Sequence, residues 1–271
     1  MILLVGCVFP NSIGYSVRGV TVMVKEKNYE WKYQVTYIKS LMEKIADAVI
    51  PEEKKMECPI CGCKSNVFLP MGVTVRGNAL CPVCYSLERH RALWMFCEEK
   101  QLLSKGGRML HFAPESVLHK KFSELNNLDY WPVDINPNMP GVRKAVDITD
   151  IPFEDNSIDI IICNHVLEHI PDEGKALSEL YRVLAQDGFA FLNVPIIRET
   201  TLENPAYNTP ELRFKYYGQD DHVRAYGKDY PDRLRKAGFK VEVVEYCKNL
   251  KPEQIKRYGL VRNETFYICR K

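Results

Sequence analysis

Four of the ten cysteines in this 271-residue chain form two pairs, Cys58-Pro-Ile-Cys61 and Cys81-Pro-Val-Cys84, with nineteen residues between them. A Cys-x-x-Cys turn presents two sulfurs to one metal. Two such turns complete the tetrahedral shell that zinc takes with thiolates about 2.3 Å away. Four ligands leave no open position, so a zinc held here would be structural. A redox pair and chance clustering are the competing readings, and the spacing favours zinc. Cys63 is a spare thiol that could replace Cys61. The stretch between the pairs can form the hairpin of a zinc ribbon.

A ribbon that clamps nucleic acid should be strongly basic. Between residues 51 and 100 seven Lys and Arg face six Glu, so this one is nearly neutral. The run Glu88-Arg89-His90-Arg91 could touch an anion, although a helix-surface charge cluster is the plainer reading. The whole chain carries a formal charge of +2, with an excess from residue 210 onward of fifteen Lys/Arg over nine Asp/Glu. That excess is either a solvated face or a surface for an anionic substrate. The apolar start "MILLVGCVFPNSIGYS" is too short to span a membrane and poorly formed as a signal peptide. Cysteines at metal spacing suit a reducing compartment, so a cytoplasmic protein is expected.

Three regions must position this chemistry. Residues 1–50 read as an extension with a hairpin in the alternating stretch 19–37 and a helix over 38–50. Residues 51–100 hold the cysteines and an amphipathic helix, "SLERHRALWMFCEEK". Residues 101–271 alternate short apolar strands with helices, the pattern of βαβ units and a parallel sheet. The strands are "RMLHFA", "DYWPVDI", "KAVDI", "IDIIICNHV" and "GFAFLNVPI", followed later by "FKVEVVEY" and "ETFYICRK". A polar, tyrosine-rich lid insertion is expected near 198–230. The predicted fold class is α/β, a Rossmann-like sheet with a small N-terminal zinc-ribbon module.

The first strand should open a nucleotide site, yet "HFAPE" (His111, Phe112, Ala113, Pro114, Glu115) has no glycine. Small Ala113 permits close backbone approach, and a carboxylate at Glu115 would repel a pyrophosphate but welcome a cation. Asp134, followed by Ile135, ends the second strand, where an acid can accept from both ribose hydroxyls; a turn role before Asn136-Pro137 is the alternative.

Together with "NHVLEHI" and "RVLAQDG", these motifs resemble the type 11-like branch of the class I S-adenosylmethionine-dependent methyltransferases over about the last 165 residues. The resemblance implies S-adenosylmethionine as cofactor and a class I methyltransferase sheet, with Ala113, Glu115 and Val117 where glycines usually stand. It also implies that Asp147 meets the adenine amine, that the next residue, Ile148, supplies a backbone N–H, and that Asn164 and His165 end the fourth strand at the cofactor.

Methyl transfer needs alignment and a base. His222 in "YGQDDHVRAYG" is the first candidate, oriented by Asp220 or Asp221, and His165 is the second. Arg224 could bind an anionic group of the acceptor, with Tyr217 and Tyr226 lining its pocket; alternatively His222 and Arg224 only pin the lid. The expected acceptor is a small molecule or saccharide, methylated on oxygen. An RNA base methyltransferase and a non-catalytic cofactor- or partner-binding module are the alternatives, and a homodimer remains open.

Overall fold

The computed structural model describes residues 55–72 and 75–271, together with the backbone of strands β1 (Ser12–Val17) and β2 (Val20–Lys25). These two strands pair antiparallel, Ser12 opposite Lys25. The hairpin therefore starts earlier than the predicted stretch 19–37, and the helix predicted over 38–50 lies outside the described residues. Two compact units result: Met1–Met95 with Leu250–Arg262, and Phe96–Asn249 with Asn263–Lys271. The sequence division kept 101–271 together, whereas residues 250–262 belong to the cysteine-bearing unit.

That unit contains two short hairpins, β3 (Met56–Glu57) with β4 (Lys64–Ser65) and β5 (Leu69–Met71) with β6 (Arg76–Leu80). Helix α1 (Glu88–Glu99) follows. Arg91 on α1 explains why 250–262 joins here. Its fully buried guanidinium donates to the carbonyls of Ser86, Ala79, Tyr258 and Gly259, tying knuckle, strand and the end of the helix Pro252–Tyr258 together. Glu88 and His90 are buried as well, so the expected surface charge cluster is an internal brace. Five guanidinium donors in a rigid fork suit scattered carbonyls as lysine could not.

The second unit is built on a seven-stranded sheet. In chain order its strands are β7 (Gly107–Phe112), β8 (Leu128–Asp134), β9 (Lys144–Ala145), β10 (Ile158–Asn164), β11 (Leu184–Asn193), β14 (Lys240–Val244) and β15 (Phe266–Arg270). Outside it β12 (Ile196–Arg198) pairs with β13 (Tyr226–Gly227), and across the sheet the strands lie in the order β14-β15-β11-β10-β7-β8-β9. The pairs from β11 through β9 are parallel, while β15 runs antiparallel to both neighbours. This is the expected doubly wound α/β architecture, whose switch point lies between β7 and β10, where ligands bind beyond the carboxyl ends. Helices α2 (Ser116–Ser123) and α3 (Glu173–Val183) make the crossovers. α3 turns Ala176, Leu177, Leu180 and Val183 inward at the spacing of one apolar stripe, and Asp172 caps it by accepting from the Lys175 N–H.

Two local expectations change. The "KAVDI" strand shrinks to the two residues of β9, because this edge has a neighbour on one side only. The strand expected from Gly188 in "GFAFLNVPI" begins earlier, at Leu184 straight after α3, and β11 shifts register between Leu184 and Phe189.

Arg182 on α3 forks onto both Glu179 oxygens at 2.7 and 2.8 Å and donates to Asp155 and to the Ile151 and Phe153 carbonyls. It thereby clamps the segment entering β10. The hydrogen-bonding guanidinium holds the Glu179 carboxyl below its ordinary 4.5. Its contribution to stability is therefore complete above pH 4.5 and is lost as pH falls through the folded value. Glu179→Gln should flatten the acid limb of the urea midpoint against pH. An acid limb identical to wild type would contradict the clamp.

Candidate active site and metal centre

The cysteine cluster forms from its backbone turns. Gly62 N–H donates to the Cys58 carbonyl and Tyr85 N–H to the Cys81 carbonyl, one knuckle per pair. Gly62 and Tyr85 both adopt left-handed φ, +71° and +59°, as each turn requires after its second cysteine. The ligand atoms of Cys58, Cys61, Cys81 and Cys84 lie within 4.8 Å of one another, and Cys63 is not among them. Sulfurs of Cys58 and Cys84 are 3.6 Å apart and those of Cys61 and Cys81 3.7 Å. Ligands about 2.3 Å from a tetrahedral zinc stand about 3.8 Å apart, so the donor set fits that ion. Thiols this close compete for ionisation. Hydrogen bonds from Cys81 and Cys84 pull Cys58 down, while burial pushes Cys61 up to about 11 and the bond to Cys58 pushes Cys81 up to about 12. A dication removes that competition.

At the carboxyl edge of the sheet a second array forms. Ala113, just beyond β7, takes φ +45°, the left-handed conformation that a glycine would adopt freely. His165, just beyond β10, does the same at +55°. Non-glycine residues in this region carry strain that clusters at functional sites. Glu115 precedes α2 and turns back: its Oε2 accepts from His111 Nε2 at 2.9 Å. His111 is fully buried, and its Nδ1 meets the Tyr130 hydroxyl at 2.9 Å. Glu115 Oε1 faces Asn164 Nδ2 at 3.5 Å, Asn164 Oδ1 accepts from Asn193 Nδ2 at 2.8 Å, and Asn193 Oδ1 accepts from the Tyr267 N–H at 2.9 Å. One polar chain thus crosses β8, β7, β10, β11 and β15 and holds the Glu115 carboxylate.

The other expected cofactor residues sit around this chain with unequal roles. Phe112 is buried in the core, so its side chain faces away from a ligand, as does that of Ile148. Ile135 is 71% exposed, an apolar surface beside Asp134. Asp134 Oδ1 accepts from the Asn136 N–H at 2.8 Å, so the turn role is real. Asp147 is exposed and accepts from the Thr149 N–H and hydroxyl, bonds that hold its carboxyl below the ordinary range. Pro114 is partly exposed between Ala113 and Glu115.

The lid residues depart most from expectation. Arg224 is 1% exposed and donates to the Leu167, Ile170 and Pro171 carbonyls and to Glu203, so it is not presented to an anionic acceptor. Tyr217 and Tyr226 are likewise buried, the first hydrogen-bonded to Asn204 and the second to Glu173. They pack the segment rather than line a pocket. What stays open is a stacked pair, Tyr207 and Tyr216 at 4.0 Å, with exposed Phe214 on helix α4 (Pro210–Tyr217). Arg198, in the strand after β11, donates to the Tyr216 carbonyl and ties α4 to that carboxyl end.

His222 is 3% exposed; its Nδ1 lies 3.3 Å from the Tyr217 carbonyl, and its Nε2 is buried without a partner. Burial lowers its pKa, keeping it neutral. It therefore cannot reach an acceptor as a free base. His165 is better placed, with its side chain 30% exposed and Nδ1 3.4 Å from Glu168 Oε1.

Residues 115–192 match the family model described as a methyltransferase domain. The match runs from Glu115 to Leu192, one residue short of the end of β11, so it contains Glu115 and Asn164 of the polar chain but neither His111 nor Asn193. A segment of 69 residues is 36% identical to an uncharacterized 37.1 kDa protein in transposon TN4556 of Streptomyces fradiae, covering 25% of this chain and 20% of that one. Among solved structures, phosphoethanolamine N-methyltransferase 2 of Haemonchus contortus, in complex with phosphomonomethylethanolamine and S-adenosylhomocysteine, is 17% identical with a TM-score of 0.46, covering 67% of this chain and 53% of that one. An S-adenosylmethionine-dependent methyltransferase of Mesorhizobium loti is 15% identical with a TM-score of 0.43, covering 66% and 98%. The chain thus spans about half the length of the Haemonchus contortus enzyme and a fifth of the transposon protein. Among the described residues no helix is long and apolar enough to cross a membrane.

Proposed function

We infer that the protein is an S-adenosylmethionine-dependent methyltransferase acting on a hydroxyl of a small polar or saccharide acceptor, with a structural zinc in its cysteine unit. The observation that carries the reading is the polar chain through His111, Glu115, Asn164 and Asn193, which holds a carboxylate at the carboxyl edge of the methyltransferase domain. S-adenosylmethionine would supply an electrophilic methyl on a cationic sulfonium. Glu115 meets its positive charge, left-handed Ala113 lets backbone come close, Asp134 accepts from ribose hydroxyls, and Ile135 covers the adenine face.

The acceptor side falls to His165. With Nδ1–H directed at Glu168, Nε2 is free to take the acceptor's hydroxyl proton, and Glu168 stabilises the imidazolium that results. The Tyr207–Tyr216 stack and Phe214 offer aromatic faces suited to the apolar side of a sugar ring. Transfer of a labelled methyl to a panel of sugar nucleotides and saccharides tests this. His165→Asn should cut turnover by about 10²–10⁴-fold and leave cofactor affinity unchanged. Salt-sensitive methylation of RNA bases, with no transfer to hydroxyl acceptors, would overturn the acceptor assignment in favour of an RNA enzyme.

A further inference from the structure

Beside His165 lies a second donor cluster that the methyl-transfer reading uses only through Oε1 of Glu168. Glu168 is 1% exposed and its Oε2 has no hydrogen-bond partner, an expensive state for a buried carboxylate oxygen. His222 Nε2 is buried and unpartnered in the same place. With His169 they form a group whose ligand-capable atoms all lie within 4.8 Å of one another. That ceiling is only slightly above the roughly 4.2 Å that separates opposite ligands of a single ion at about 2.1 Å. The His169 and His222 rings stand edge to face, 4.7 Å between centroids.

The surroundings are those of a built site. The only hydrogen-bonding group a carbonyl can meet at His222 Nδ1 is an N–H, so the Tyr217 carbonyl fixes the tautomer that leaves a lone pair on Nε2. The Asp221 carboxylate, 3.1 Å from His169 Nδ1, sets the other imidazole in the same way. Metal-bound histidines usually carry such a carbonyl or carboxylate behind them. The backbone is pinned too: Val223 N–H donates to the Glu168 carbonyl at 2.9 Å, and Arg224 donates to the Leu167 and Ile170 carbonyls at 2.7 and 2.6 Å. His169 and Asp221 remain partly exposed, 33% and 62%, which gives an ion a way in.

The geometry points to a divalent transition-metal site formed by Glu168, His169 and His222 at the acceptor side of the sheet's carboxyl edge. Two imidazoles and one carboxylate suit zinc or iron better than magnesium or calcium, and three protein ligands leave positions open, as in catalytic rather than structural centres. Resting on the methyltransferase reading, the open positions receive the acceptor's hydroxyl oxygen. Binding there lowers the hydroxyl pKa, and the released proton passes to His165 Nε2. Glu168 then serves both groups, through Oε2 to the metal and Oε1 to His165.

Cobalt(II) tests the site without any need for turnover or S-adenosylmethionine. Titrated into the zinc-holding full chain, it should bind one ion per chain with weak d–d bands and no thiolate-to-metal charge-transfer band, which separates this site from the cysteine cluster. Asp221→Asn, at an exposed position, should weaken binding about tenfold by loosening His169, and Glu168→Gln should weaken it further. Asp134→Ala should leave it unchanged, so loss of the cofactor site and loss of this site are distinguishable. No cobalt uptake outside the thiolates by wild type, or uptake indifferent to both Asp221→Asn and Glu168→Gln, would overturn the proposal.

Discussion

Replacing Cys81 with serine, or stripping metal with a chelator, should unfold residues 56–84 while the seven-stranded sheet keeps its own cooperative transition. The hairpins there are two or three residues deep in three of four strands, too short to hold themselves. Their order rests on the thiolate cluster and on the buried Arg91 brace. Structural zinc contributes about 10–16 kcal/mol of apparent binding free energy in small cysteine and histidine folds, more than a module this size can replace. Hydrogen exchange should show protection lost across 56–84, and zinc content should fall from one per chain to none in the cysteine unit. Retained protection in the metal-free protein would mean that the cysteines are not its fold's support. Cys63→Ser should change neither readout, because Cys63 is outside the cluster.

The second large effect is expected at Glu115. Glu115→Gln keeps the size of the side chain and an acceptor for His111 but removes the charge proposed to meet the sulfonium. A charge-assisted contact of this kind contributes about 2–3 kcal/mol, so affinity for S-adenosylmethionine should fall by about 30- to 160-fold. Affinity for the neutral thioether product, S-adenosylhomocysteine, should fall less, since the lost partner is the sulfonium rather than the amino acid or the nucleoside. Equal losses for both ligands would assign Glu115 to the ammonium group common to the two. No loss for either would reduce Glu115 to a helix-entry residue held by His111.

The parts of the fold that were legible in the sequence are those set by short-range pattern. Apolar runs such as Ile158–Asn164 must be central strands, and the Cys-x-x-Cys spacing carries its own turn geometry. Asp134, which closes β8, could be placed for the same reason, whereas Asp147 lies two residues beyond β9. What could not be read depends on partners far along the chain. Arg91 looks like a surface residue until the carbonyls of Tyr258 and Gly259 arrive from the far end. Arg224 likewise looks like an anion clamp until its donors are seen to be taken by the turn after β10.

Asn193 and Tyr130, two members of the polar chain, belong to no motif, although a polar residue closing the apolar run "GFAFLN" is a usable signal for the first. The left-handed backbone of Ala113 and His165 leaves no compositional trace, because neither residue is glycine. His222 stands out in the sequence by residue type, as a candidate base. Its chemistry nonetheless turns on burial and on the Tyr217 carbonyl, which only the folded segment supplies.

The proposed function requires that this strand-to-helix turn without glycines still hold S-adenosylmethionine. Isothermal titration of S-adenosylmethionine into the full chain, with Asp134→Ala beside it, tests that most directly. Saturable one-to-one binding at micromolar concentration by wild type is expected, and its loss in the variant, with both proteins folded and zinc-loaded. No binding by folded, zinc-loaded wild type, or binding that Asp134→Ala leaves intact, would contradict it.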